Sequence, residues 1–205
     1  VYRKIALTVS YVIQPLLIPT LVFTFLIYGA PQLVKVSFFD KRFLLFMVFM
    51  TTFMIPLLSI VMMKLTKNIV SFHMESKDER VFPFSMISLF YMITTYLFYM
   101  KFQVDPALIL ALAVITITVI LLTSITFFWK ISAHMTGIAG LAGIVIAIAL
   151  KYPSTDYLAV LLSTIFLTGL TGTSRLYLNA HTPLEISLGV LLGFSTCFGA
   201  FYWIL

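Results

Sequence analysis

Apolar and polar positions in this chain are segregated into long blocks. Apolar runs fall at about 5 to 29, 43 to 63, 83 to 100, 106 to 129, 135 to 150, 156 to 172 and 184 to 205. Each approaches the roughly 20 residues that a helix needs to cross the hydrocarbon core of a bilayer. No water is present there to satisfy backbone groups, so each run is predicted to be a helix. The expected fold is all-α, a polytopic transmembrane helix bundle of six to seven spans. Pro15 and Pro19 in the first run and Pro56 in the second predict kinks whose freed carbonyls neighbouring groups must satisfy. No linker, low-complexity tract or internal repeat interrupts the pattern, which predicts one domain over residues 1–205.

Within the runs, Ala139, Gly143 and Ala147 recur at every fourth position, as do Gly189 and Gly193. That period puts small residues on one helix face and predicts close helix–helix packing.

The composition agrees with a membrane setting. The chain is 61% hydrophobic and only 10% charged, against about a quarter charged in soluble domains. Its net charge of +6 comes from cations scattered between apolar runs, which argues against a nucleic-acid surface. Cys197 is the single cysteine, so no internal disulfide is expected. Arg3 and Lys4 lead into the first run with no small-residue cleavage site, so no cleavable leader is expected.

The order of the runs then places the polar islands. If all seven span, residues 64 to 82, 130 to 134 and 173 to 183 share one face with the N-terminus, and that set holds His73, His134 and His181. Lys77, Arg80, Lys130 and Arg175 join them. Each segment precedes a helix start: Pro83 opens the third run, Ser132 is placed to cap the fifth, and Thr182 caps the seventh. Helix N-termini carry partial positive charge, and ionisable residues gathered at a membrane surface are functional candidates. For Lys64, Lys67, Lys130, Lys151, Lys101 and Arg42 taken singly, an interfacial anchor that snorkels to headgroups is the better reading.

The stretch from Gly172 to Leu192, GTSRLYLNAHTPLEISLGVLL, is the most informative. Thr182-Pro183-Leu184-Glu185 reads as a helix start, with Thr182 as N-cap, Pro183 first in the helix and Glu185 as the acid of a capping box. His181 then stands just before the helix, with Arg175 six residues upstream. A guanidinium, an imidazole and a helix N-terminus together suit an anion, phosphate above all. Two histidines add the means to break a phosphate ester: one neutral imidazole attacks phosphorus while a second, protonated, donates to the leaving oxygen. A carboxylate beside the nucleophile holds its tautomer, a role open to Glu185 one turn beyond His181. Capping and orienting draw on the same geometry, and both readings stay open for Glu185. A metal site is the competing use of three histidines, but their spacing lacks the usual paired pattern, and nearby arginines oppose a cation.

These residues resemble the three-part signature of the type 2 phosphatidic acid phosphatases. The third part, Ser-Arg, five residues, His, three residues, Asp, reads Ser174-Arg175, LYLNA, His181, TPL, Glu185, with Glu in place of Asp. The second, Pro-Ser-Gly-His, reads Ile131-Ser132-Ala133-His134. The first, Lys, six residues, Arg-Pro, is the most divergent: Arg80 is followed by Val81-Phe82-Pro83, and the position seven before it holds His73. Lys77 or a protonated His73 stands in for the missing lysine. The resemblance implies that His181 is the nucleophile and His134 the general acid. The same likeness implies that Arg80, Arg175, Ser132 and local backbone N–H groups form the phosphate cradle. It also implies that no metal and no other cofactor is needed, and that the site faces outward, as in a bacterial inner-membrane protein open to the periplasm. Arg3 and Lys4 mildly favour the opposite orientation.

A substrate reaching such a site from the bilayer is a lipid phosphate or prenyl pyrophosphate, and the abundant Phe and Met can adapt to its flexible tail. The rival from a different class is a lipid-binding or transport protein whose basic pocket holds anionic headgroups without chemistry.

Overall fold

A computed structural model describes residues 2–36, 38–69, 76–102, 104–153 and 157–205. His73 lies outside them. Among the described residues the chain is helical without strands, and seven helical stretches are long and apolar enough to cross a membrane. They are Tyr2–Gly29, Asp40–Leu65, Asp78–Lys101, Pro106–Thr126, Ala133–Lys151, Leu158–Tyr177 and Pro183–Ile204, called here the first to seventh spans. The all-α transmembrane bundle expected from the apolar runs is the fold found.

The ends differ from expectation at two places that matter. The third helix starts at Asp78, not Pro83, because Asp78 and Glu79 favour a first turn and the Ser76 hydroxyl accepts the Glu79 N–H at 3.3 Å. Arg80 is therefore helical and buried. The sixth helix runs on to Tyr177, which makes Ser174 and Arg175 its last turn and not a loop. It stops in a Schellman motif: Asn179 takes a left-handed φ of 50°, the Ala180 N–H reaches the Arg175 carbonyl, and the Asn179 N–H reaches that of Leu176.

Pro15, Pro19 and Pro56 each have a distinct local consequence. Before Pro15 the helix Tyr2–Val12 stops, and Gln14 is extended at φ −76°, ψ 136°, as the residue before a proline prefers. Pro19 sits in the first turn of Ile18–Thr24, where its missing N–H costs little. Pro56 comes after a π-helical turn, Met50–Met54. Its ring cannot donate to the Thr52 carbonyl, and the buried Tyr91 hydroxyl donates there instead, at 3.1 Å.

The chain forms two compact units, one of Val1–Ile18 with Ile131–Leu205, the other Pro19–Lys130. In the second, the third and fourth spans pair through hydroxyls, Ser88 to Thr123 at 2.9 Å and Thr95 to Thr116 at 2.8 Å. Asp105 caps the fourth span by accepting the Ala107 N–H at 3.0 Å. In the first unit the dominant pairing is between the fifth and seventh spans, and the small residues decide it. A Cβ on Gly193 would overlap the Thr136 carbonyl, one on Gly189 would lie 2.8 Å from the Ser132 carbonyl oxygen, and one on Gly143 2.9 Å from that of Phe194. The two backbones are thus nearly in contact, as the four-residue spacing predicts.

Candidate active site

The helix start at Thr182 is built as its sequence requires. Thr182 is extended, its hydroxyl accepts the Glu185 N–H at 3.3 Å, and Glu185 Oε2 accepts the Thr182 N–H at 3.3 Å. The same Oε2 lies 2.7 Å from Nδ1 of His181. One carboxylate oxygen therefore both caps the helix and holds the imidazole, so the two roles open for Glu185 coexist. The His181 side chain is 1% exposed and that of Glu185 11%, so solvent screens the pair little. A carboxylate accepts and cannot donate, which assigns the proton of a neutral His181 to Nδ1 and leaves Nε2 as the basic nitrogen.

The backbone ties this turn to the start of the fifth helix. Ser132 donates its N–H to the Glu185 carbonyl at 3.3 Å, so the N-terminal ends of the fifth and seventh helices are joined where Gly189 lets them meet. Ser132 occupies the N-cap position, but its hydroxyl makes no capping bond; it is fully buried and lacks a hydrogen-bond partner. Leaving a buried polar group unsatisfied costs about 1–3 kcal/mol, which an acceptor brought to Ser132 Oγ would recover.

His134 stands two residues further on, and its Nε2–H donates to the Ser10 carbonyl at 3.1 Å. Arg175, from the end of the sixth helix, donates through Nη1 to the Ser10 hydroxyl at 3.5 Å, while its Nε is buried without a partner. The Ser174 hydroxyl is committed to its own helix, bonded to the Leu170 carbonyl at 2.8 Å. Hydrogen bonds and chain adjacency thus link Arg175, Ser10, His134, Ser132, Glu185 and His181 within one unit.

Of the residues read as a site, His181, Glu185, Ser132, His134 and Arg175 are brought into this network. Lys77 and Arg80 belong to the other unit. There Lys77 donates through Nζ to the Phe127 carbonyl at 3.4 Å, at the end of the fourth helix, where a cation is favoured. Ser10 was missed: it lies in an apolar run and outside every signature part. The signal that could have found it is the Gln14-Pro15 pair downstream, which ends the helix and leaves the Ser10 carbonyl without the Gln14 N–H it would take in a continuous one.

The chemistry available is that of a buried basic imidazole nitrogen, a second imidazole, a guanidinium with an unused buried N–H, an unused buried hydroxyl and two helix N-termini. All but the basic nitrogen can donate hydrogen bonds, so the set suits an oxyanion. No curated protein and no solved structure matches the chain. Residues 126–205, which hold Ser132, His134, Arg175, His181 and Glu185 but neither Lys77 nor Arg80, match the family model of the PAP2 superfamily. That match is consistent with a member of the type 2 phosphatidic acid phosphatase family and supports a phosphatase activity of that kind.

Proposed function

We propose that this protein is a membrane-embedded, metal-independent lipid phosphatase that hydrolyses a lipid phosphate or prenyl pyrophosphate through a phosphohistidine. The observation that carries this reading is the 2.7 Å contact from His181 Nδ1 to Glu185 Oε2, buried at a helix N-terminus. It orients Nε2 as the nucleophile and stabilises the positive charge that the ring gains on attack.

In the first step Nε2 of His181 bonds to phosphorus, the phosphorus–oxygen bond to the leaving group breaks, and His134 delivers a proton to the departing oxygen. In the second, water attacks the phosphohistidine and gives a proton to His134. The bond to Nε2 breaks and phosphate leaves. Arg175, the Ser132 hydroxyl and the N–H groups of the fifth and seventh helices bind the non-bridging oxygens in both steps. For Lys77, Arg80 and His73 a phosphate-binding role rests on the likeness to the first signature part alone. The chain leaves the first unit at 18 and returns to it at 131, which supports one functional domain over residues 1–205. We assign the substrate to the bilayer and the site to the periplasmic side of a bacterial inner membrane.

The test is phosphate release by purified protein from vesicles containing phosphatidic acid, phosphatidylglycerol phosphate, a prenyl pyrophosphate or a phosphorylated lipid A. Turnover should resist EDTA, and His181→Ala should abolish it while leaving lipid binding intact. Quenching should trap an acid-labile, base-stable phosphoprotein, and His134→Ala should slow its formation. Absence of phosphate release from all four lipids by folded protein would transfer the site to headgroup binding without chemistry.

A further inference from the structure

Ser10 lies outside residues 126–205 yet bonds to two members of the candidate site, and its chemistry there is unusual for a helical serine. Ser85, Ser88, Ser163, Ser174 and Ser187 each return their hydroxyl to the carbonyl four residues back, the ordinary habit of serine inside a helix. Ser10 is buried, and its hydroxyl instead accepts from Nη1 of Arg175 while its carbonyl accepts from Nε2 of His134.

The carbonyl is available because the helix breaks just beyond it. The last helical residue is Val12, Gln14 is extended, and Pro15 begins the next turn. Ser10 therefore carries one of the last carbonyls of its helix, which have no partner within it and bear its partial negative charge. An arginine and a histidine are the side chains that such an end attracts. Ala6, one turn earlier, is buried with Ser10, and the helix packs on the sixth span that carries Arg175.

We infer that Ser10 is a positioning residue for the phosphatase chemistry, its hydroxyl setting Arg175 for phosphate binding and its carbonyl, exposed by the Gln14-Pro15 break, setting His134 for proton transfer. This rests on the function proposed above. The two contacts act on different groups, so they separate kinetically. Interactions used in ground-state binding appear in KM, whereas those needed only during the reaction appear in kcat.

The experiment compares wild type, Ser10→Ala, Ser10→Thr and Pro15→Ala in detergent micelles, measuring kcat, KM for the lipid phosphate, inhibition by inorganic phosphate and thermal unfolding. Ser10→Ala keeps the carbonyl and should raise KM and the phosphate inhibition constant about five-fold, with kcat within about two-fold. Ser10→Thr restores the hydroxyl and should return both constants towards wild type. Pro15→Ala restores an N–H and lets the helix continue, so the Gln14 N–H competes for the Ser10 carbonyl; kcat should fall about ten-fold with KM little changed. An active wild type whose KM and phosphate inhibition are the same in Ser10→Ala overturns the inference and leaves the phosphatase reading standing. So does a Ser10→Ala whose melting temperature falls with no split between KM and kcat. A folded wild type that releases no phosphate overturns both.

Discussion

A single carboxylate oxygen of Glu185, in the first turn of the seventh helix, serves both His181 and the start of that helix: Oε2 lies 2.7 Å from the His181 imidazole Nδ1 and 3.3 Å from the Thr182 backbone nitrogen. The nucleophile candidate is therefore held by the same bond set that starts the seventh helix, and fold and chemistry cannot be altered there independently by truncation. Glu185→Gln separates them. Its side-chain carbonyl can still accept the capping N–H, while the negative charge facing the imidazole is gone. Phosphate release should fall about 100-fold or more, with melting temperature nearly unchanged. A loss of stability matching the loss of rate would mean that Glu185 serves the helix alone.

Ser132 sits where a capping serine is expected and does not cap, since its hydroxyl is buried without a partner. Replacing a true N-cap by alanine costs about 1 kcal/mol. Ser132→Ala should therefore leave thermal stability unchanged or slightly raised, and should weaken inhibition by inorganic phosphate several-fold. A drop in melting temperature with phosphate inhibition intact would assign the hydroxyl to structure.

Gly193 and Gly199 lie on one helix and should respond oppositely to the same change. A Cβ at Gly193 meets the Thr136 backbone, which cannot step aside, whereas one at Gly199 meets nothing within 4 Å. Gly193→Ala should destabilise by about 1–3 kcal/mol or more through overpacking, and should disturb the Ser132 to Glu185 link as the helices part. Gly199→Ala should be neutral or stabilise by about 0.5–1 kcal/mol, the helix-propensity difference between glycine and alanine. Thermal unfolding in detergent decides both.

Tyr91 supplies the donor that Pro56 lacks. Tyr91→Phe leaves the Thr52 carbonyl without that bond and should cost about 1 kcal/mol, with phosphate release unaffected. In a Pro56→Ala background the backbone N–H is restored, so the same substitution should cost less. A double-mutant cycle on unfolding measures the coupling, and additive effects would show that the hydroxyl does not compensate for the proline.

Much of this protein was legible in its residues alone. Spans arise from apolar length because the bilayer excludes water from every backbone group, and the seventh helix starts at Thr182 as its local code dictates. The four-residue spacing of glycines announced a close pairing, though not that the fifth and seventh helices were the partners. Helix ends that depend on local bonds differ from the apolar boundaries: Arg80 is helical because the Ser76 hydroxyl and the acidic residues Asp78 and Glu79 start its helix early, and Arg175 because its helix runs on to the Schellman turn at Asn179.

The site's connectivity belonged to the tertiary structure alone. Sequence spacing placed His181 within reach of Glu185, since four residues make one helical turn, but it held no sign that both act through one oxygen. Nor could it pair Ser10 with residues 124 and 165 positions away, or show that Ser132 leaves its hydroxyl unused. Local patterns are set by the backbone's own geometry and by water, both present in any window of sequence. Which buried donor meets which distant acceptor is settled only when helices pack, because each such bond depends on the register of two backbones at once.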